Sequence, residues 1–367
     1  MRAAVYQGNQ QFAIKDLADP APAPRQVVVD VEFCAICGTD VHAVMYDIAP
    51  VGSVLGHEYS GVISRVGPGV ERWKVGDRVV GGGGEPPPTL ASAKGPRFNY
   101  RNEGFPTERI RAYAEKVLME EWEPIAIPEG VSSPEAAMCE PCSVAVHAVR
   151  LSKMRLGDTV VILGAGLIGL LCMQVARAAG ASRVFVSEPA PARAEAARRL
   201  GANAVVDPTE SDVIERMVEL SDGLGPDVVF ECAAAKSTLD DALQMVRRSG
   251  QVMLVAITWE PTELLPPDWM AREVGLQASF GARPEDWRIA LDLIRTGKVT
   301  MDPLVSDASF LPLENIQEAF EALCQPSTQL QMVVKHGSSS SYNSTNVCLC
   351  SPRDKWPDPK AALDEFT

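Results

Sequence analysis

Residues 159–169 read TVVILGAGLIG: an apolar run, Val160 to Leu163, passes directly into Gly164-Ala165-Gly166-Leu167-Ile168-Gly169. A short continuous apolar run bounded by glycine fits a strand buried on both faces, the habit of parallel sheets. The pattern repeats outward. Apolar strands are expected at 183–188, 204–207, 227–232 and 250–256, with helical segments at 167–179, 191–200, 211–221 and 237–248. Strand and helix in turn predict an α/β, doubly wound parallel sheet with helices on both faces. Upstream the texture differs. Segments at 26–33, 60–67 and 77–82 read as short strands cut by Gly and Pro, which predicts a mainly β region. Downstream come helices near 284–296 and 313–324 and a strand over 329–335. Residues 337–346, GSSSSYNSTN, read as a flexible linker to an appended tail.

The chain has 367 residues, enough for about two domains. Its formal charge of −14 repels phosphate backbones and anionic lipid, so nucleic acid and membrane surfaces are not expected partners. The N-terminus lacks the apolar run of a secretory signal, and no stretch reaches the roughly 20 apolar residues of a membrane span. A cytoplasmic protein is expected. Nine Cys, an odd number spread thinly, argue for reduced thiols or metal ligands over a disulfide framework.

A GxGxxG that ends a strand and opens a helix has a mechanical reading. Gly164 permits the tight turn, Gly166 lets backbone approach a pyrophosphate, and Gly169 lets helix and strand pack closely. The helix amides that follow, from Leu167 and Ile168, point a positive dipole end at the phosphates. Glu188 lies 19 residues beyond Gly169, where a carboxylate accepts from an adenosine ribose diol. That favours NAD, because a 2′-phosphate would meet its charge. Arg193 nearby, able to stack on adenine or pair with a phosphate, leaves NADP open.

The chain has four His, and one stands in Gly56-His57-Glu58-Tyr59-Ser60-Gly61. Beside it stand two cysteine pairs, Cys34-x-x-Cys37 and Cys139-x-x-Cys142, about 100 residues apart. The pairs admit a four-thiolate reading, but that gap far exceeds a zinc ribbon's, and Cys34 and Cys142 also read as small buried hydrophobes. A second set, Cys37, His57, Glu58 and Glu140, with Thr39 and His42 close to the thiol, offers about three ligands and an open position, as a catalytic zinc requires. His57 and Glu58 are neighbours, and neighbours on a regular strand face opposite ways, so this set requires a bend at Gly56. His147 reads as a core residue of an apolar helix, and His336 as the start of the linker.

The segments CAICGTDVH (34–42), GHEYSGVISRVGPGV (56–70) and CEPCSVAVHAV (139–149) resemble the zinc-containing medium-chain dehydrogenases, in the polyol, butanediol and threonine dehydrogenase branch. The resemblance covers residues 1 to about 336. It implies a GroES-like, mainly β catalytic domain over 1–147, a Rossmann NAD-binding domain over 148–283, a return to the catalytic domain over 284–336 and a tail over 337–367. It also implies one catalytic zinc held by Cys37, His57 and Glu58, with Glu140 binding directly or through the zinc water. Thr39 and His42 become a proton relay, a secondary alcohol the substrate, and the nicotinamide is expected between the domains. A homodimer or homotetramer follows from the same resemblance, through a strand near 274–280.

Residues 76–138 contain no Cys, so the family's second, structural zinc is not expected. In its place stand Gly81–Gly84, three prolines and a stretch with Arg97, Tyr100, Arg101 and Phe105, read as a subunit-packing lobe or as a lid over substrate. The tail's Cys348 and Cys350 suggest a metal or lipid tract, or only a disordered terminus. Two further functions compete: a zinc-free quinone or enone reductase of the same fold, and a non-catalytic nucleotide-binding protein.

Overall fold

The computed structural model describes residues 1–84, 109–258, 261–323 and 330–337. Arg97, Tyr100, Arg101, Phe105, Cys348 and Cys350, with most of the 81–105 stretch and the tail beyond 337, lie outside the described residues. Two compact units are present, one of Met1–Ile127, Val131–Met138 and Ser306–Thr367, the other of Pro128–Gly130 and Cys139–Val305.

The first unit opens with a two-stranded hairpin of β1 (Arg2–Tyr6) and β2 (Phe12–Asp16). The long β3 (Gln26–Ala35) follows, then α1 (Gly38–Met45), β4 (Glu58–Val66), β5 (Arg78–Val80), β6 (Lys116–Glu120), β7 (Ile125–Ala126) and α2 (Ser133–Ala137). Strand β3 is central, antiparallel to both β4 and β6. Its valines 27, 29 and 31 and the Ile63 of β4 are buried with Tyr6, Tyr113 and Phe320 in one apolar core. Helix α2 starts on a capping box, Ser132 and Glu135 satisfying each other's backbone amides.

The second unit begins with α3 (Cys139–Leu151) and runs on as strand and helix in turn: β8 (Thr159–Leu163), α4 (Leu167–Ala178), β9 (Arg183–Ser187), α5 (Pro191–Arg199), β10 (Ala204–Val206), α6 (Val213–Leu220), β11 (Val228–Glu231), α7 (Thr238–Met245), β12 (Gln251–Leu254), α8 (Pro266–Met270), β13 (Gly275–Ala278) and α9 (Pro284–Arg295). The sheet is parallel throughout, in the order β10-β9-β8-β11-β12-β13. The chain therefore winds outward from β8 in one direction, then from β11 in the other. The carboxyl ends of β8 and β11 form the switch point where such sheets bind ligands. Every residue of β8 is buried, which is why its sequence shows no alternation.

The chain then returns to the first unit through β14 (Phe310–Pro312), α10 (Ile316–Leu323) and β15 (Val333–Lys335). Strand β15 pairs antiparallel with β3 and parallel with β14, so this sheet runs β14-β15-β3-β4-β5-β7 with β6 also on β3.

The units part at 138/139 and 305/306, not at 147/148 and 283/284. The reason is the packing of α3 and α9. The buried His147 Nδ1 lies 2.8 Å from Asp286 Oδ2, and Arg150 also pairs with Asp286, which is itself fully buried. That network ties α3 to α9, and both helices fall in the unit of the parallel sheet.

Candidate functional site

Two chain segments converge in the first unit. Strand β3 ends at Ala35, and Cys37 then takes the N-cap position of α1, its sulfur accepting the Thr39 N–H at 3.4 Å. Opposite Ala35 in the β-ladder stands Glu58, the first residue of β4, with His57 just before it. Gly56 supplies the bend with φ +96°, and a side chain there would press on the Tyr113 backbone nitrogen at 2.8 Å. As a result the donor atoms of Cys37, His57 and Glu58 lie within 4.8 Å of one another, the one such group of three among the described residues.

The electrostatics of this cluster call for a cation. Burial pushes the Cys37 thiol up to about 11, with Glu58's charge adding to the effect. Burial likewise opposes a charged His57, but Asp40 and Cys37 outweigh it and hold the imidazole well above its ordinary value. Asp40 is fully buried; His57 Nδ1 stands 3.5 Å from its Oδ2, which accepts the Tyr113 hydroxyl at 2.8 Å. Burial resists its ionisation too, but His57 and Tyr113 bring it below the usual carboxylate range. Glu58, 1 % exposed, accepts the Gln331 Nε2–H at 3.1 Å. Two carboxylates and a thiol thus share one imidazole in a largely buried pocket, a set whose negative charge a divalent ion would offset. One sulfur, one imidazole nitrogen and one carboxylate oxygen suit zinc, and the helix N-terminus favours the thiolate it needs.

Thr39 and His42 sit three residues apart on α1 and so share a helix face. His42 is half-buried, which lowers its pKa and favours the neutral ring. Glu140 belongs to the second unit, in the first turn of α3. The four cysteines of the two Cys-x-x-Cys pairs form no metal group among the described residues. Cys34 and Cys139 are buried thiols that donate to the carbonyls of Ala35 and Trp287.

In the second unit the three glycines of the loop differ in their constraints. Gly164 has φ +88°, a side chain on Gly169 would lie 1.9 Å from the Gly164 carbonyl, and one on Gly166 would meet nothing within 4 Å. Gly166 caps α4 without a side-chain bond, so the amides about Leu167 and Ile168 carry no such cap. Glu188 is buried at the end of β9, its Oε2 accepting the Ala165 N–H at 2.7 Å and its Oε1 the Ala190 N–H at 2.9 Å. The carboxylate therefore ties the loop to the next strand while keeping lone pairs for further donors. Arg193 Nε is a buried donor without a partner. Together an open glycine, an uncapped helix start, an acidic anchor and an orphaned guanidinium nitrogen fit a dinucleotide.

Sequence reasoning missed four side chains. Asp40 was visible only as an acid beside Thr39, and Tyr113 and Gln331 are 73 and 273 residues from their partners. Glu231 ends β11 as Glu188 directly follows β9, and its Oε1 accepts from the Ala233 and Ala234 amides at 2.9 and 2.8 Å and from Thr238 Oγ1 at 2.8 Å. A carboxylate closing an apolar strand was the available signal.

Comparison with known proteins agrees with both halves. Residues 23–129 match the alcohol dehydrogenase GroES-like domain, and residues 168–296 the family described as zinc-binding dehydrogenase. The chain is 31 % identical over 352 residues to (R,R)-butanediol dehydrogenase of Bacillus subtilis, covering 91 % of this chain and 99 % of that protein. Sorbitol dehydrogenase of Halalkalibacterium halodurans is 31 % identical over 314 residues, 82 % of this chain and 89 % of the relative. A zinc-binding dehydrogenase of Sinorhizobium meliloti, solved with NADP bound, superposes with a TM-score of 0.80 at 28 % identity, over 91 % of this chain and 99 % of that one.

Proposed function

The chain belongs to the zinc-containing medium-chain dehydrogenases, in the branch of the polyol and butanediol dehydrogenases, and from that premise we propose that it interconverts a secondary alcohol of a polyol or diol with its ketone, using NAD. The observation that carries this reading is the meeting of Cys37, His57 and Glu58 donors within 4.8 Å in a half-buried site beside the buried Asp40. These three would hold one zinc per chain, with Glu140 as the further carboxylate, bound directly or through water.

When bound, zinc supplies the Lewis acidity that lowers the pKa of a ligated hydroxyl. The protein's own share is orientation and proton movement. Thr39 would accept the alcohol proton at its Oγ1 while passing its own towards His42, which burial keeps neutral and therefore able to receive it. Asp40 would hold His57 by its Nδ1 side, leaving Nε2 for the metal. Gly164, Gly166 and Gly169, with the amides about Leu167 and Ile168, would receive the pyrophosphate, and Glu188 the ribose diol, which favours NAD over NADP.

Edge strand β13, with Leu276 38 % exposed and Phe280, two residues past the strand's end, 51 % exposed, would pair with its copy in a homodimer, and two dimers in a tetramer. Among the described residues no helix is long and apolar enough to cross a membrane. The cytoplasm is the proposed compartment, in keeping with six free thiols among the described cysteines.

The test measures metal content and NAD reduction on a panel of polyols and diols, for wild type and Cys37→Ser. About one zinc per chain, lost with activity in the variant, is expected. A wild-type protein that reduces quinones or enones with NAD(P)H and takes up no zinc would replace this reading with the zinc-free reductase.

A further inference from the structure

Gln331 is 2 % exposed, nearly as buried as the carboxylate it meets. Burying an amide costs desolvation, so its two bonds call for a reason. Its Nε2–H donates to Glu58 Oε2 at 3.1 Å, and its Oε1 accepts the Met332 N–H at 3.3 Å. The second bond decides the first: with the oxygen turned to the backbone, the NH₂ end must face the carboxylate. The backbone here is also pinned. Val333 stands opposite Ala35 in the β15–β3 ladder, and Ile36 N–H donates to the Met332 carbonyl at 2.9 Å. Continued by two residues, that antiparallel register brings Gln331 level with Cys37. Ala35 also faces Glu58 across β3 and β4. The returning strand therefore delivers an amide to the flank of the metal cluster.

We propose that Gln331 is a positioning residue of the metal site, which fixes the Glu58 carboxylate towards Cys37 and His57 by a hydrogen bond to its Oε2, leaving Oε1 for the metal. This rests on the reading that Cys37, His57 and Glu58 hold zinc. A ligating carboxylate has one oxygen for the metal and one for an outer donor, and such donors set the ligand's direction. The amide is neutral, so it orients Glu58 without cancelling the charge that the metal requires.

The experiment compares wild type, Gln331→Met, which keeps the length without the donor, and Gln331→Lys, which restores a donor. Co²⁺ and Zn²⁺ affinities are read by chelator competition, and the Co²⁺ visible spectrum reports ligand geometry. Gln331→Met is expected to bind either ion about 10- to 100-fold more weakly, with altered Co²⁺ bands. Gln331→Lys, which restores the donor but adds a positive charge, recovers the wild-type Co²⁺ bands while its affinity stays reduced. Co²⁺ bands altered alike in both variants, or wild-type affinity and spectrum in Gln331→Met, overturn the proposal. If Gln331→Met does not fold, Gln331→Asn, one methylene short of Glu58, takes its place with the same expected loss. A wild-type chain that binds neither ion would instead defeat the metal reading itself.

Discussion

At His336 a half-buried imidazole sits one residue beyond β15 and donates its Nε2–H to the Ala112 carbonyl at 3.2 Å. Burial lowers its pKa to about 4, with the Ala112 carbonyl and the Glu115 charge recovering part of the loss. In the unfolded chain the ring titrates near 6.5. Above pH 6.5 both states are neutral and the contribution to stability is intact. As the pH falls from about 6.5 to about 4 the unfolded chain takes up a proton that the folded chain refuses, so stability declines, by at most about 3 kcal/mol. Below about 4 the decline from this group ends. Urea unfolding at pH 7 and pH 5 checks this: His336→Gln, which keeps a donor for Ala112, should lose less stability over that interval than wild type. Equal losses would show that other groups set the acid limit. His336 had read as no more than the start of a linker, because nothing local announces a carbonyl 224 residues away. The same limit applies to Asp40, Tyr113 and Gln331. Cys37, His57 and Glu58 were named for the opposite reason: their motifs carry the family resemblance locally, and the fold brings their donors together.

Among the elements, legibility followed burial. Strands β8, β9, β11 and β12 are buried almost throughout, so each left a continuous apolar run with glycine or charge at its ends. Helix α1 left no such mark. Eight residues make barely two turns, and its buried positions, Asp40, Val41, Ala43 and Val44, include the carboxylate that faces His57. The helix serves the site first. Helix α4 makes the converse case, since its approach to β8 depends on one residue without a side chain. A Cβ on Gly169 would stand 1.9 Å from the Gly164 carbonyl, and backbone cannot swing aside as a long side chain can. Gly169→Ala must therefore push α4 away from the loop, shifting the amides on which a pyrophosphate would rest. We expect NADH binding, measured by fluorescence titration, to weaken at least about tenfold, the equivalent of about 1.4 kcal/mol. Metal content should stay at the wild-type level, because the cluster of Cys37, His57 and Glu58 lies in the other unit. Unchanged NADH affinity would remove the pyrophosphate from this loop.

Across the whole molecule the proposed metal and dinucleotide sites draw their residues mainly from different units, Glu140 being the exception. Cys37, His57, Glu58 and Gln331 belong to the unit that the chain leaves at Met138 and re-enters at Ser306, while Gly164–Gly169, Glu188 and Arg193 belong to the other. The split has a thermodynamic consequence. A ligand stabilises whatever conformation holds its contacts, by about 2.7 kcal/mol at a hundredfold excess over its Kd, and suppresses local opening there most directly. Stripping the metal with a chelator should speed amide hydrogen exchange in α1, at the start of β4 and along β15, the segments that present its ligands and their buried partners. The strands β8 to β12 should keep their protection. Adding NADH should slow exchange about the 164–170 turn and at the end of β9. Mass spectrometry of pepsin fragments resolves all of these segments. If chelation loosened the parallel sheet as much as α1, metal and dinucleotide would be acting on one cooperative body, and assigning each ligand to its own unit would fail. If α1 and β15 kept their exchange rates after complete metal removal, the cluster of Cys37, His57 and Glu58 would be rigid by itself, with its buried charges balanced by protein groups alone.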